Sequence, residues 1–270
     1  MQRKMSTILL IVMCLSLIHS VNVFALDKVK ITEGTYVLES KLGTNMVMDV
    51  DNASKKSGAN IQLYKYNGSS AQQFTIKKSG SYYTITPKCS GLKVDVQGGS
   101  TKSGANVQQY KSNNTDSQKW QFYDAGNGYY YIRCKIGDKA LDVKGGKSSS
   151  GTNIWMYNLN QTDSQKWKLV KVDTIQIQGH LYTPWGRQMP CEKATLYSID
   201  GRKLGTFTGY DYDFKLTATM RSTDTPSYIV VETTCAGTPM KGTYQLKYGQ
   251  IRELCNSKKL YISCLSVNSY

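Results

Sequence analysis

The chain has 270 residues, with 34 Lys and Arg against 19 Asp and Glu and a formal net charge of +15. That length suits two domains or one large one. The lysines are mostly scattered singly, with no basic run of the kind that marks a nucleic-acid arm, and no apolar stretch approaches the roughly 20 residues of a membrane span, so neither partner is expected.

Residues 1–25 read as a secretory signal peptide. Arg3 and Lys4 precede the apolar run Ile8–Ile18, and Val23-Phe24-Ala25 supplies a small-residue cleavage site. The mature chain is then expected to start near Leu26 and to be secreted and extracellular. Residues 26–172 carry 21 Lys and Arg against 11 Asp and Glu, so the basic character is concentrated there. A surface of that sign steers acidic glycans or anionic cell surfaces toward it. Six cysteines follow the leader (Cys89, Cys134, Cys191, Cys235, Cys255 and Cys264), an even count that predicts disulfides without fixing their pairing.

Residues 26–172 are written three times over. DSQKW occurs at Asp116–Trp120 and again at Asp163–Trp167, and the stretches before both copies match a third one upstream. Each copy has an Asp, residues at +13 and +15, a Gln at +23 and an aromatic at +25. These are Asp49, Gln62, Tyr64, Gln72 and Phe74; then Asp95, Gln108, Tyr110, Gln118 and Trp120; then Asp142, Trp155, Tyr157, Gln165 and Trp167. The repeat is about 46 residues long. Its segments, such as TYVLES, YYTITP, NIQLYKY and QKWQFY, are β-branched and aromatic and are separated by Gly, Asn and Ser, which predicts strands and turns. Three units are too few for a propeller of about four to eight blades. Closure into one barrel removes the sheet edges that three separate sheets would expose.

Three repeats ending in Q-x-W or Q-x-F, each with D-V and a following N-[IV]-Q-x-Y or its variant, resemble the ricin B-type lectins, over roughly residues 33–172. The resemblance implies an all-β fold, a β-trefoil. It also implies that Asp49, Asp95 and Asp142 accept hydrogen bonds from vicinal sugar hydroxyls. Tyr64, Tyr110 and Tyr157 match the stacking aromatic, and Gln62 and Gln108 the polar partner. Gln72, Gln118 and Gln165 match a residue that bonds the Asp or its loop. Phe74, Trp120 and Trp167 read as core. Many relatives carry Asn before the motif Gln, where this chain has Ala71, Ser117 and Ser164; the third copy has Trp155 where Gln is expected. The middle site, with Asp95, Gln108, Tyr110, Ser117 and Gln118, therefore ranks first. Four N-x-S/T sequons, at Asn52, Asn67, Asn113 and Asn160, read as turn residues, since the last three sit at one place in the repeat.

Residues 173–270 lack the repeat. Alternating stretches such as TIQIQGHLY, ATLYSID, FKLTATM, SYIVVETTC, TYQLKYG and LYISCLSV predict a small β-sandwich of about seven strands. The strand order resembles the nematode transthyretin-like family, with an immunoglobulin-like sandwich as the rival. Either implies a binding module that serves a protein partner and carries no catalytic residues. His180 is the one histidine after the leader and reads as structural. No G-x-S-x-G, H-E-x-x-H or metal-ligand spacing accompanies it. The expected protein is thus a secreted, non-catalytic lectin without cofactor or metal, binding glycans or polysaccharides. The alternative is an interaction or inhibitor protein that uses the trefoil as a scaffold.

Overall fold

The computed structural model describes residues 26–137, 139–182, 186–235, 238–266 and 268–269. The expected signal peptide lies outside the described residues. A short strand β1 (Lys28–Val29) precedes the repeats and pairs with the end of the second. Each repeat then forms four strands. The first is β2 (Gly34–Ser40), β3 (Met46–Val50), β4 (Ile61–Lys65) and β5 (Phe74–Ser79). The second is β6 (Tyr82–Pro87), β7 (Lys93–Val96), β8 (Ala105–Tyr110) and β9 (Trp120–Asp124). The third is β10 (Tyr130–Cys134), β11 (Lys139–Val143), β12 (Thr152–Asn158) and β13 (Trp167–Tyr182).

The outer strands of each repeat pair with one another, and β5–β6, β9–β10 and β13–β2 join the repeats into a closed six-stranded barrel. Each barrel strand sends at least one large side chain inward: Leu38, Phe74, Ile85, Trp120, Ile132 and Trp167 are all fully buried. The inner strands form hairpins β3–β4, β7–β8 and β11–β12 that cap the barrel. Where the hairpins meet, Asn60 donates to Asn153 at 2.8 Å, Asn153 to Asn106 at 2.9 Å and Asn106 to Asn60 at 3.1 Å. One amide from each repeat thus closes a ring of hydrogen bonds between the three caps. This is a β-trefoil, as the repeats imply.

Strand β13 does not stop at the barrel. Lys171 still pairs with Tyr36, whereas Val172 pairs with Arg221, so the chain passes from one sheet to the next within a single strand. The later strands are β14 (Gln188–Met189), β15 (Cys191–Ser198), β16 (Lys203–Asp211), β17 (Phe214–Arg221), β18 (Pro226–Cys235) and β19 (Thr238–Gln245). A helix α1 (Tyr248–Ser257) and strands β20 (Lys259–Ser266) and β21 (Asn268–Ser269) end the fold. Strand β13 lies between β17 and a parallel β20; β16, β15, β18 and β19 pair in that order. The two groups share one apolar cluster, which includes Ile175, Ile177, Leu196, Leu216, Val231 and Ile262. They touch at Gly205 and Ala218, where any side chain on Gly205 would meet Ala218 Cα at 2.6 Å.

Helix α1 is a correction to the all-strand reading of this part. It is short, and its Leu254 packs fully buried in the second cluster, with Ile251 and Cys255 against its edge. Spacing of three and four residues puts these on one face. Lys258 ends the helix in the left-handed conformation, its N–H bonded to Leu254 O at 3.0 Å.

A polar clamp fastens the second part to the first repeat. The Tyr66 ring lies under the guanidinium of Arg221, 3.9 Å from the ring centre, and within 4.8 Å of Arg202. Asp224 bonds both arginines, and Arg221 Nη1 reaches across to Glu39 Oε1 at 2.7 Å and Asn45 Oδ1 at 3.3 Å. Val37, Val47 and Val172 form the apolar patch beside it. Replacing Glu39 by Gln removes one charged partner but leaves Asp224, so urea unfolding should show a loss of about 1 kcal/mol.

Cys89, Cys134, Cys191 and Cys255 carry free thiols, so these four form none of the expected disulfides; the side chains of Cys235 and Cys264, where the expectation also falls, lie outside the described residues. Burial pushes the Cys134 and Cys191 thiols up to about 12, so neither offers a thiolate at neutral pH.

Candidate functional site

The cap hairpins put the predicted side chains together. Their register sets each Asp directly across from the residue thirteen positions later: Asp49 from Gln62, Asp95 from Gln108 and Asp142 from Trp155. Gln62 and Gln108 each donate an amide N–H to Oδ1 of their Asp at 3.0 Å. In the third repeat the indole Nε1 of Trp155 makes the same bond at 2.7 Å. The substitution that breaks the sequence pattern therefore preserves the hydrogen bond.

The other carboxylate oxygen is held from the opposite side. Ser117 Oγ donates to Asp95 Oδ2 and Ser164 Oγ to Asp142 Oδ2, both at 3.1 Å. A serine hydroxyl has one hydrogen, and an ionised carboxylate has none, so that hydrogen is committed to the Asp. Thr115 and Thr162 stand 2.6 and 2.7 Å behind these serines and share their own hydrogen between the serine and an Asn side chain. Each Asp is thereby fixed by one donor per oxygen and keeps lone pairs for a ligand.

A cavity of about 520 Å³ opens over Asp95, lined by Gly98, Gly99, Gln108, Tyr110 and Ser117. Another of about 430 Å³ opens over Asp142, lined by Gly145, Gly146, Trp155, Tyr157 and Ser164. Trp155 and Tyr157 stack with ring centres 5.5 Å apart and planes at 15°. Both cavities thus have the site Asp and a second Asp, Asp116 or Asp163, in their lining and aromatic surface beside them. The glycine doublets were not anticipated, although their fixed place after each Asp was legible. All four have positive φ, and added Cβ atoms would meet no protein atom. Glycine lets the backbone turn there and leaves the cavity wall bare.

The first repeat keeps the bond from Gln62 but departs at the glycine doublet and at the serine. Asn52 and Ala53 replace the glycine doublet, both at positive φ. Ala71 offers no hydroxyl to Asp49. Burial raises the Asp49 pKa above the ordinary carboxylate range, and Asp51 nearby adds to this, while bonds from Gln62 and Gln72 oppose it. A carboxyl whose pKa is raised by folding binds its proton more tightly when folded. Its contribution to stability is therefore lost as pH rises through the folded value. Asp49→Asn should accordingly raise Tm at pH 7, with the gain fading as the pH falls below the carboxylate range. A thermal melt series across pH checks this.

The motif glutamines are placed differently from a sugar-contacting residue. Gln72, Gln118 and Gln165 are at most 2% exposed. Their carbonyl oxygens accept backbone N–H groups of Asn67, Asn113 and Asn160, and their amides donate to Lys65 O, Lys111 O and Asn158 O. They clamp the loop that ends in Ala71, Ser117 or Ser164. The sequon residues Asn67, Asn113 and Asn160 each accept the N–H two residues later, the turn role expected of them.

In DSQKW the Asp and the Lys form an ion pair, and the Ser, Gln and Trp serve the site, the loop and the core. Asp116 pairs with Lys119 and with Lys135, just after β10; Asp163 pairs with Lys166 and with Lys41, just after β2. These lysines hold both carboxyls below the ordinary range. The Ser holds the site Asp and the Gln holds the loop. The Trp fills the barrel and pegs the strand under the site: Trp120 Nε1 donates to Val94 O at 3.1 Å and Trp167 Nε1 to Leu141 O at 3.2 Å. Phe74 fills the core without that bond.

His180 lies apart, on β13, with Nδ1 2.5 Å from Asp213 and its Nε2 on the Tyr261 hydroxyl. Among the described residues no cluster of three or more His, Cys, Asp or Glu could hold a metal, and no helix is long and apolar enough to cross a membrane.

Three interlocked caps, each built to present a carboxylate beside an aromatic ring, define a lectin-type trefoil. The family described as "Ricin-type beta-trefoil lectin domain-like" matches residues 23–110, 70–157 and 116–181, more than half of the chain, and the protein belongs to it. The designed threefold-symmetric protein ThreeFoil is 38% identical, with a TM-score of 0.50, over 51% of this chain and 99% of its own. An exo-β-1,3-galactanase from Clostridium thermocellum is 33% identical over 51% of this chain and 30% of its own, with a TM-score of 0.49. The Macrolepiota procera ricin B-like lectin, solved in complex with lactose, is 20% identical over 52% of this chain and 98% of its own, with a TM-score of 0.44. No curated protein matches the chain.

Proposed function

We propose that this protein is a secreted, non-catalytic lectin that binds glycans through its second and third repeats. The observation that carries the reading is the pair of cavities over Asp95 and Asp142, each with a carboxylate held by two donors. An acceptor-only group with free lone pairs suits vicinal hydroxyls, and Tyr110 or Tyr157 suits the C–H face of a pyranose. Gln108, Ser117, Trp155 and Ser164 orient the carboxylates; Gln118 and Gln165 hold the loops. Asp49, Gln62, Tyr64 and Gln72 form the same frame without its open wall, and the first repeat serves the fold.

A single shallow site of millimolar affinity is worth about 4 kcal/mol, and two on one rigid barrel gain on a dense glycan surface. For residues 173–270 we propose a transthyretin-like sandwich, supported by the two strand groups around one core, with a protein partner as its role. Exposed Tyr210, Tyr212 and Tyr261 give that part aromatic contact surface.

The test is a glycan-array screen at low and at moderate salt. Neutral glycans should bind with little salt dependence. Absence of glycan binding at both salt concentrations would sink the lectin reading and leave the scaffold alternative.

A further inference from the structure

The three repeats differ most in charge beside the carboxylate. Two residues after the site Asp stand Asp51, Gln97 and Lys144; five residues after it stand Ser54, Ser100 and Lys147. Only the third repeat is basic at both positions. Lys144 Nζ sits 5.2 Å from the centre of the Trp155 ring, so the ring that bonds Asp142 also holds a cation over its face. On that side lies a further cavity of about 610 Å³, lined by Lys144, Lys147, Ser149, Ser150 and Thr152. It shares Gly145 and Trp155 with the cavity over Asp142. Trp155 is thus the common wall of two adjoining spaces, one with the Asp142 and Asp163 carboxylates and the other with two exposed lysines and three hydroxyls.

We propose that the third repeat binds an acidic oligosaccharide, one sugar ring over Asp142 and Tyr157 and an anionic substituent beyond Trp155 on Lys144 and Lys147. This rests on the lectin reading and adds the substrate class of one site. A lone acidic sugar in the Asp142 cavity would set its charge against that carboxylate. A longer chain separates the two, with hydroxyls meeting Asp142 and the anion meeting ammonium groups. Ammonium–anion bonds are charge-assisted and roughly twice as strong as neutral ones. Both lysines are exposed, so the preference must weaken with salt. The second repeat, with Gln97 and Ser100, has no such preference. The shared chemistry is a carboxylate or a sulfate ester, and both belong in the test.

The experiment uses the full chain carrying Asp95→Asn, so that the third site is read alone. Matched disaccharides in neutral, sulfated and uronic-acid forms are titrated at about 50 mM salt. The acidic member of a pair should bind about tenfold more tightly than the neutral one. Lys144→Gln with Lys147→Ser should bring the two to parity, while the charge-matched control Lys77→Gln with Lys78→Gln keeps the preference. No acidic preference, an unchanged one in the Lys144/Lys147 variant, or an equal loss in the control each overturns the proposal. Failure of the unsubstituted chain to bind any neutral or acidic glycan overturns the lectin reading with it. Neutral binding without acidic preference overturns this inference alone.

Discussion

Asp95→Asn is expected to weaken glycan binding at the second repeat about 100-fold, which corresponds to about 2.7 kcal/mol. Hydrogen bonds to a charged group contribute about 1.5–3 kcal/mol each, and the Asp95 carboxylate is fixed from both sides by Gln108 and Ser117. Asparagine keeps the shape and the bond from Gln108. It loses the charge and turns one acceptor into a donor, which then confronts Ser117. Thermal unfolding should shift little, since the barrel core is untouched. A binding constant within a factor of about three of the unsubstituted protein would remove Asp95 from the site.

Trp120→Ala should be the most destabilising single change, at about 3–5 kcal/mol by urea unfolding. The side chain is fully buried in the barrel, and its loss opens a cavity that β-strands closed in a ring relax into poorly. Trp120→Phe isolates the peg from the packing. It restores the aromatic that the first repeat uses and strands Val94 O, at a cost of about 1–3 kcal/mol. Because Val94 precedes Asp95 on β7, this milder variant should also loosen the second site while the third keeps its affinity.

Much of the trefoil was legible because it is written three times. Fixed offsets among Asp, Gln and aromatic survive where individual residues change, and they reflect a backbone pairing that recurs. Trp155 shows the limit of residue-by-residue reading: it looks like a lost polar contact, yet the indole N–H reaches the same carboxylate oxygen as a glutamine amide. The resemblance gives the glutamines a supporting role toward the Asp or its loop, whereas their burial, which no spacing reveals, depends on the fold. The glycine doublets were visible as letters, whereas their use as a bare cavity wall depends on backbone conformation. In the second part there is no repeat to average over. Its strands were readable from alternation, but α1 depends on packing against a sheet assembled from distant segments. The Tyr66–Arg221–Asp224 clamp joins residues more than 150 positions apart, and no local pattern announces it.

The central claim is that two repeats, built around Asp95 and Asp142, hold sugar while the first does not. Calorimetric titration with a glycan identified by array gives the stoichiometry directly. The account predicts two sites per chain, one after either Asp95→Asn or Asp142→Asn, none after both, and no change after Asp49→Asn. A stoichiometry that falls with Asp49→Asn, or that persists in the double variant, would contradict it.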